Sequence, residues 1–460
     1  MDQETEGAMT NIGYRSLTPY MLAGPLVAAA LMGSSVKAHA AAELPEIKPE
    51  AVGFSSERLR RLDSVMQKMV DDGEFSGVVT MAARHGKVFQ SKAYGLRDLA
   101  SRAPMERDTI FRLASMSKPI TGVAMMILYE EGKWRMDEPI STYIPEFANL
   151  KVFKGLDANS KILVEDPEHP PTMRELMSHT AGFSYGGGDG PVDKLYKDDN
   201  GNNIVLGASS LQEMINQISK IPLLCQPGTR FVYSVSVDIQ GYLVQKLSSK
   251  PLAEFLKERI FEPLGMKDTD FFVPKEKWGR FATLYKKDGS NKAKLDVVPE
   301  SDPMSRPDGL KRYDLEPGLP SGGGGLVSTG GDYLKFAQML LNEGVLGGAR
   351  ILAPETVWMM RTNQLPDTMT AKDWTRSDNL LPYGWGFGLD FAVFENSARV
   401  ERPVGKGTFF WGGAFGTWFW IDPTDDVVFV GMVQRWNSAF QLQWDLAQQT
   451  SYQALIDLKK

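Results

Sequence analysis

The stretch Phe111-Arg112-Leu113-Ala114-Ser115-Met116-Ser117-Lys118-Pro119-Ile120-Thr121-Gly122 decides how the chain is read. A short apolar run leads into Ser115. Behind it Ile120, Val123, Ala124, Ile127 and Leu128 recur at three and four residues, the period of an α-helix, and Gly132 stands where such a helix stops. On this reading Ser115 opens a helix and Lys118 lies one turn on. Residues three apart share a helix face, so the hydroxyl and the ammonium can meet. The N–H groups of a first turn have no partners inside the helix and stay open to a developing negative charge. A serine, an amine at i+3 and free amides together suggest a nucleophile with its base. Ser-x-x-Lys is a short pattern, however, and it recurs without meaning at Ser34 to Lys37, so the rest of the chain must decide.

The chain has 460 residues, of which 42% are apolar and 23% charged, the composition of a globular protein with two or three lobes. A net charge of −6 argues against nucleic acid, because phosphate binding needs a basic surface. Tyr20 to Met32 is apolar and Ala38-His39-Ala40 fits a small-x-small cleavage site. Residues 1–40 therefore read as a signal peptide, and the mature chain would begin near Ala41 and be periplasmic or secreted. The apolar run falls short of the roughly 20 residues that span a membrane. Met1 to Ala8 is acidic where a signal wants positive charge; a start at Met9 leaves Arg15 in that place. Without a signal the chain would be cytoplasmic. Cys225 is the single cysteine, so no internal disulfide can form, and Leu-Leu-Cys-Gln-Pro reads as buried. His39, His85, His169 and His179 show no metal-ligand spacing, and neither a metal nor a cofactor is expected.

Ser55 can cap a helix whose apolar face is Leu59, Leu62, Val65, Met66, Met69 and Val70. Two strand-like runs follow, Gly77 to Ala83 and Lys87 to Tyr94, joined by His85-Gly86 as a tight turn. From about Tyr143 to Val298 helical signals dominate, with a capping box at Thr172-Met173-Arg174-Glu175 and helical patterns at Leu211 to Ile221, around Ile239 to Leu247, and after Pro251. Strand character returns at Gly384 to Val393, Thr417 to Ile421 and Val427 to Gln434, and a helical tail with Leu442, Leu446, Leu455 and Leu458 ends the chain. The simplest assembly pairs the early hairpin with the late strands in one antiparallel sheet covered by helices from both ends. It gives an α/β domain from 45–142 and 299–460 and a mainly helical domain from 143–298.

Three further stretches matter. Tyr233 lies in Phe231-Val232-Tyr233-Ser234-Val235, just before a helix. Phe410-Trp411-Gly412-Gly413-Ala414 enters a strand, where consecutive glycines allow close backbone approach to a ligand. Gly182-Phe183-Ser184-Tyr185-Gly186 matches Gly-x-Ser-x-Gly, but a nucleophile elbow needs a strand before the serine and a histidine late in the chain, and both are missing.

The set Ser115-Met116-Ser117-Lys118, Tyr233-Ser234-Val235 and Trp411-Gly412-Gly413 resembles the serine β-lactamase and penicillin-binding superfamily. It is most similar to the family VIII carboxylesterases, which are related to class C β-lactamases. Leu176 to Gly182 and the glycine run Gly322 to Gly325 resemble further stretches of this group. The resemblance implies an α+β, β-lactamase/transpeptidase-like fold: an antiparallel sheet flanked by helices plus a mainly helical lobe. It implies that Ser115 is the nucleophile, that Lys118 and Tyr233 share the work of general base, and that the backbone N–H groups of Ser115 and Ala414 form the oxyanion hole. His179 in this pattern is structural.

Two departures bear on substrate. Lactam- and peptide-cleaving relatives show Tyr-x-Asn, and here Val235 stands in the third position. They also show a lysine where Trp411 stands. Valine cannot donate a hydrogen bond to an amide, and tryptophan carries no charge for a carboxylate. Neutral short-chain esters are therefore the expected small-molecule substrates, with side activity on β-lactams such as cephalosporins. Trp411, Gly412, Gly413, Val235, Tyr185, Trp385 and Phe387 are the candidate substrate-binding residues. The alternatives are a β-lactamase or D-alanyl-D-alanine carboxypeptidase of the same fold and, more remotely, a non-catalytic penicillin-recognising protein.

Overall fold

The Ser55 side chain accepts from the Arg58 N–H and starts α1 (Ser56–Asp71), which buries Leu59, Leu62, Met66 and Met69. The next two elements are strands β1 (Gly77–Arg84) and β2 (Lys87–Asp98). Between them His85 and Gly86 both take positive φ, 53° and 68°, the left-handed pair that a two-residue hairpin turn requires. This is a computed structural model, and it describes residues 43–288, 294–299, 313–365, 369, 384–396, 401–436 and 440–457. The signal read at 1–40 and Leu458 lie outside the described residues.

The expected union of hairpin and late strands is present. β1 pairs antiparallel with a strand from the end of the chain, from Val78 opposite Val433 to Arg84 opposite Val427. Ala103–Pro104 forms a short β3. The late strands are β4 (Trp385–Phe387), β5 (Ala392–Phe394), β6 (Phe409–Gly412), β7 (Trp418–Asp422) and β8 (Val427–Val433). The sheet runs β4-β5-β6-β7-β8-β1-β2-β3. One expectation is corrected here. Gly384 to Val393 is not one strand but two, because the chain reverses between Phe387 and Ala392. There the Gly388 N–H donates to Phe391 O and Asp390 takes φ 64°.

Every residue of β1, β7 and β8 is buried, because helices cover both faces. On one face Phe419 meets Tyr333 of a helix spanning Gly330–Leu341, whose first turn is capped by Thr329. On the other, Trp420 meets Tyr452 and Phe410 meets Trp444, both from the last helix, Phe440–Tyr452. Each such ring, fully buried, stabilises the sheet by about 1.5–3 kcal/mol. The capping box at Thr172 and Glu175 forms as expected, and helices occupy Leu211–Ile218 and Ser236–Ser248. Two small hairpins were not legible: Val152–Leu156 with Ile162–Glu165, and Tyr285–Lys287 with Leu295–Val297. Leu156, Leu163 and Val164 of the first hairpin are exposed, so no continuous buried face imposes a period of two on that stretch.

Candidate active site

The serine turn is held from both sides. Ile110–Arg112 pairs with Val327–Thr329, and the Leu113 N–H donates to Leu326 O at 2.9 Å. Ala114 then takes φ 48°, left-handed for a residue with a Cβ. A 3-10 turn over Ala114–Met116 follows, and α2 runs Ser117–Glu130. Ser115 thus sits on the turn that feeds the helix, slightly ahead of the expected helix start. It is partly exposed while its neighbours on either side are buried. Lys118 Nζ donates to Ser115 Oγ at 3.1 Å and to Gly323 O at 2.6 Å. The glycine run at 322–325 is bound to α2: Thr121 Oγ1 donates to Gly322 O, and the Leu326 N–H donates to Ser117 Oγ.

Tyr233 comes from a separate segment that runs extended into the helix we label α3 (Ser236–Ser248). The Val232 N–H donates to His179 O at 2.8 Å, and the Ser234 N–H to His179 Nδ1 at 3.3 Å. This clamp presents the phenol ring to Lys118, whose Nζ lies 4.6 Å from the ring centroid. Trp411 Nε1–H donates to Tyr233 Oη at 3.4 Å. Ser115, Lys118 and Tyr233 are therefore brought together from three places in the chain.

The end of β6 closes the site. Gly413 is needed for a close approach, but to backbone and not to a ligand: a Cβ there would stand 2.1 Å from Leu113 O and 2.4 Å from Thr417 Oγ1. Thr417 Oγ1 in turn donates to Leu113 O at 3.0 Å. The strand is thereby tied to the loop that carries Ser115. Gly413 N–H pairs with Thr417 O and Gly416 N–H with Gly413 O, so the exposed Ala414 N–H stands outside this turn's ladder. Ser115 N–H is at the second position of its 3-10 turn, where the turn supplies no acceptor.

Tyr185, Tyr233 and Trp411 form a continuous aromatic wall backed by the buried Phe387, with neighbouring ring centroids 5.4–5.5 Å apart. Asn203 Nδ2–H donates to Tyr185 O, so the loop beyond Gly186 braces this wall. Three expected pocket residues are elsewhere. Phe387 is fully buried, packed behind Trp411 on His179 and Phe231. Val235 is fully buried at the start of α3, in the core, and no side-chain atom is open to a substrate. Trp385 packs on Phe394, Phe410 and Trp444, the cluster under the last helix, because the strand that bears it lies at the sheet edge. Ser184 is buried, donating to Asp193 Oδ1 at 2.6 Å and accepting from the Gly186 N–H, as a turn-forming side chain does.

Three buried polar groups surround the site. His179 packs its ring 4.9 Å from Tyr233, and burial, then the Lys118 charge, push its pKa well below the usual value. It stays neutral and supports Tyr233 from behind. Unfolded histidine titrates near 6.5, so above that pH the stabilisation is complete, and it is lost as pH falls toward the folded value. We expect the wild-type unfolding free energy from urea denaturation to fall between about pH 6.5 and 5, by up to about 1.4 kcal/mol per pH unit from this group. His179→Gln should flatten that slope; an unchanged slope would show that this ring does not titrate in folding.

Asp238 and Asp390 escaped the sequence reading. Both are buried beside α2, and both feel the Lys118 charge. Asp238 in the first turn of a helix reads as an ordinary dipole partner, and Asp390 as a turn residue, so neither carried a signal of its own.

Among known proteins, the Beta-lactamase family model matches residues 62–451. Protein Rv1367c of Mycobacterium tuberculosis is 35% identical over 378 residues, covering 80% of this chain and 88% of its own. Esterase EstB of Burkholderia gladioli is 30% identical over 380 residues, covering 78% and 86%. A solved structure described as EstCE1, a hydrolase with promiscuous acyltransferase activity, superposes with a TM-score of 0.69 at 27% identity, over 86% of this chain and 99% of that one. With the antiparallel sheet, the flanking helices and a match through most of its length, the chain belongs to the beta-lactamase family.

Proposed function

We propose that the protein is a serine carboxylesterase of the family VIII type, hydrolysing short-chain acyl esters through an acyl-serine intermediate. The observation that carries this reading is Lys118 Nζ at 3.1 Å from Ser115 Oγ, with the Tyr233 ring over the same nitrogen. Ser115 Oγ attacks the acyl carbonyl and its proton passes to the Lys118–Tyr233 pair. The N–H groups of Ser115 and Ala414 receive the oxyanion. The pair returns the proton to the departing alkoxide, then takes one from the water that attacks the acyl-enzyme and delivers it to Ser115 Oγ as the acyl–serine bond breaks. The names of EstB and EstCE1 support an ester as substrate. So does Trp411, which is uncharged and continues an aromatic wall with Tyr233 and Tyr185. The same reading keeps residues 1–40 as an export signal, with the working enzyme periplasmic or secreted.

The test is a rate comparison on p-nitrophenyl acetate, butyrate and octanoate against nitrocefin. Esters should lead, acetate and butyrate above octanoate, with kcat/KM at least about 100-fold above that for nitrocefin, a difference of about 2.7 kcal/mol in transition-state binding. Nitrocefin in front would make the protein a β-lactamase in which Trp411 substitutes for the missing charge.

A further inference from the structure

We propose that Asp238 is a positioning residue for this reaction: it holds the glycine turn that aims Lys118 at Ser115, and it is the counter-ion of that lysine. The inference rests on the reading of Lys118 as part of the base.

The geometry is a relay through one glycine. Asp238 lies in the first turn of α3, five residues after Tyr233, and is fully buried. Its Oδ1 accepts from Ser321 Oγ at 2.5 Å and from the Gly323 N–H at 3.1 Å. Gly323 O then accepts from Lys118 Nζ at 2.6 Å. The residue that receives the lysine's shorter hydrogen bond is thus fixed by the carboxylate on its other side. A Cβ on Gly323 would stand 2.5 Å from Asp238 Oδ2 and 3.0 Å from Tyr185 Oη, so the turn, the carboxylate and the aromatic wall fit only around glycine.

Charge makes the same assignment. Lys118 is 1% exposed, and a buried ammonium needs an anion. The groups that face it are Ser115, the rings of Tyr233 and Tyr185, His179, Asp238 and Asp390. His179 is neutral. Asp390 receives one hydrogen bond, from Gln240 Nε2 at 3.2 Å, and burial pushes its pKa well above the carboxylate range. Burial also raises that of Asp238, but Lys118, Ser321 and the Gly323 N–H all oppose it. Asp238, with two donors on one oxygen and a single glycine between it and the ammonium, is the carboxylate the geometry assigns as counter-ion; Asp390 has no such link to Lys118 among the described residues.

The experiment compares Asp238→Asn, Asp390→Asn, Gly323→Ala and Ser115→Ala in the full chain. Asparagine at 238 keeps an oxygen for Ser321 and Gly323, removes the charge and replaces Oδ2 by an N–H donor. Its kcat on p-nitrophenyl butyrate should fall about 100-fold with KM within about two-fold, and labelling of Ser115 by a fluorophosphonate should slow by the same factor. Asp390→Asn, at a carboxylate not bonded to the glycine turn, should change neither by more than about two-fold. Gly323→Ala should share the kcat loss by displacing the carboxylate. Wild-type kcat in a folded Asp238→Asn overturns the proposal, as does an equal loss in Asp390→Asn. If Asp238→Asn does not fold, full kcat in folded Gly323→Ala overturns it, and a kcat loss there at unchanged KM supports it. Ester turnover surviving in Ser115→Ala would instead overturn the esterase reading itself.

Discussion

Ser115→Ala should lower kcat/KM for p-nitrophenyl butyrate by about 10⁴-fold or more, and Tyr233→Phe by about 10²–10³-fold. The serine variant loses the only atom that could form the acyl-enzyme at this site, and its fold should be untouched. The residue is partly exposed, and among the described residues its side chain is bonded to Lys118, at 3.1 Å. The phenylalanine variant keeps the ring over Lys118 and the packing on His179 and Trp411, and loses only the phenol oxygen. Trp411 Nε1–H then loses its acceptor, at a cost of about 1 kcal/mol in stability, so the two effects separate in a denaturation curve. Stopped-flow release of p-nitrophenol distinguishes the steps: neither variant should show a burst at wild-type rate. Near-normal turnover in Tyr233→Phe would move the base elsewhere.

Gly413→Ala should be damaging although the added group is one methyl. The new Cβ would stand 2.1 Å from Leu113 O and 2.4 Å from Thr417 Oγ1, and neither can swing aside, since Thr417 Oγ1 is bonded to that same carbonyl. β6 must withdraw from the serine loop. We expect a stability loss of about 2–4 kcal/mol in urea denaturation. Leu113 precedes Ala114 and Ser115, and Ala414 follows Gly413, so the Ser115 and Ala414 N–H groups that we propose as the oxyanion hole shift with it. A displacement of about 1 Å at reacting groups costs about 100-fold in rate, and kcat should fall by that order in the fraction that remains folded. Wild-type stability and rate in this variant would mean that the strand and the loop are not rigidly joined.

The sheet was legible because its signals are local and strong: a His85-Gly86 turn between two apolar runs, and late runs separated by Asp422-Pro423-Thr424-Asp425-Asp426. The reversal inside 384–393 was not, since a turn at Gly388 to Phe391 among apolar residues resembles a continuous strand. Val235 shows the limit of motif reading. Valine in place of the asparagine of that motif points toward esters, yet its side chain is fully buried in the core.

The sequence by itself determined the Ser115–Lys118 pair, because residues three apart at a helix start meet through backbone geometry alone. The order of motifs added Tyr233 and Trp411, as candidates without positions. Tertiary structure decided the rest: that His179 stands behind Tyr233, that Gly413 serves the Leu113 carbonyl, and that Trp385 lies under the last helix. It also decided what balances the buried ammonium. Lys118 reaches Gly323 across 205 residues and, through it, Asp238. Compensation of a buried charge acts through space, and no spacing in the chain records which carboxylate folding will bring beside it.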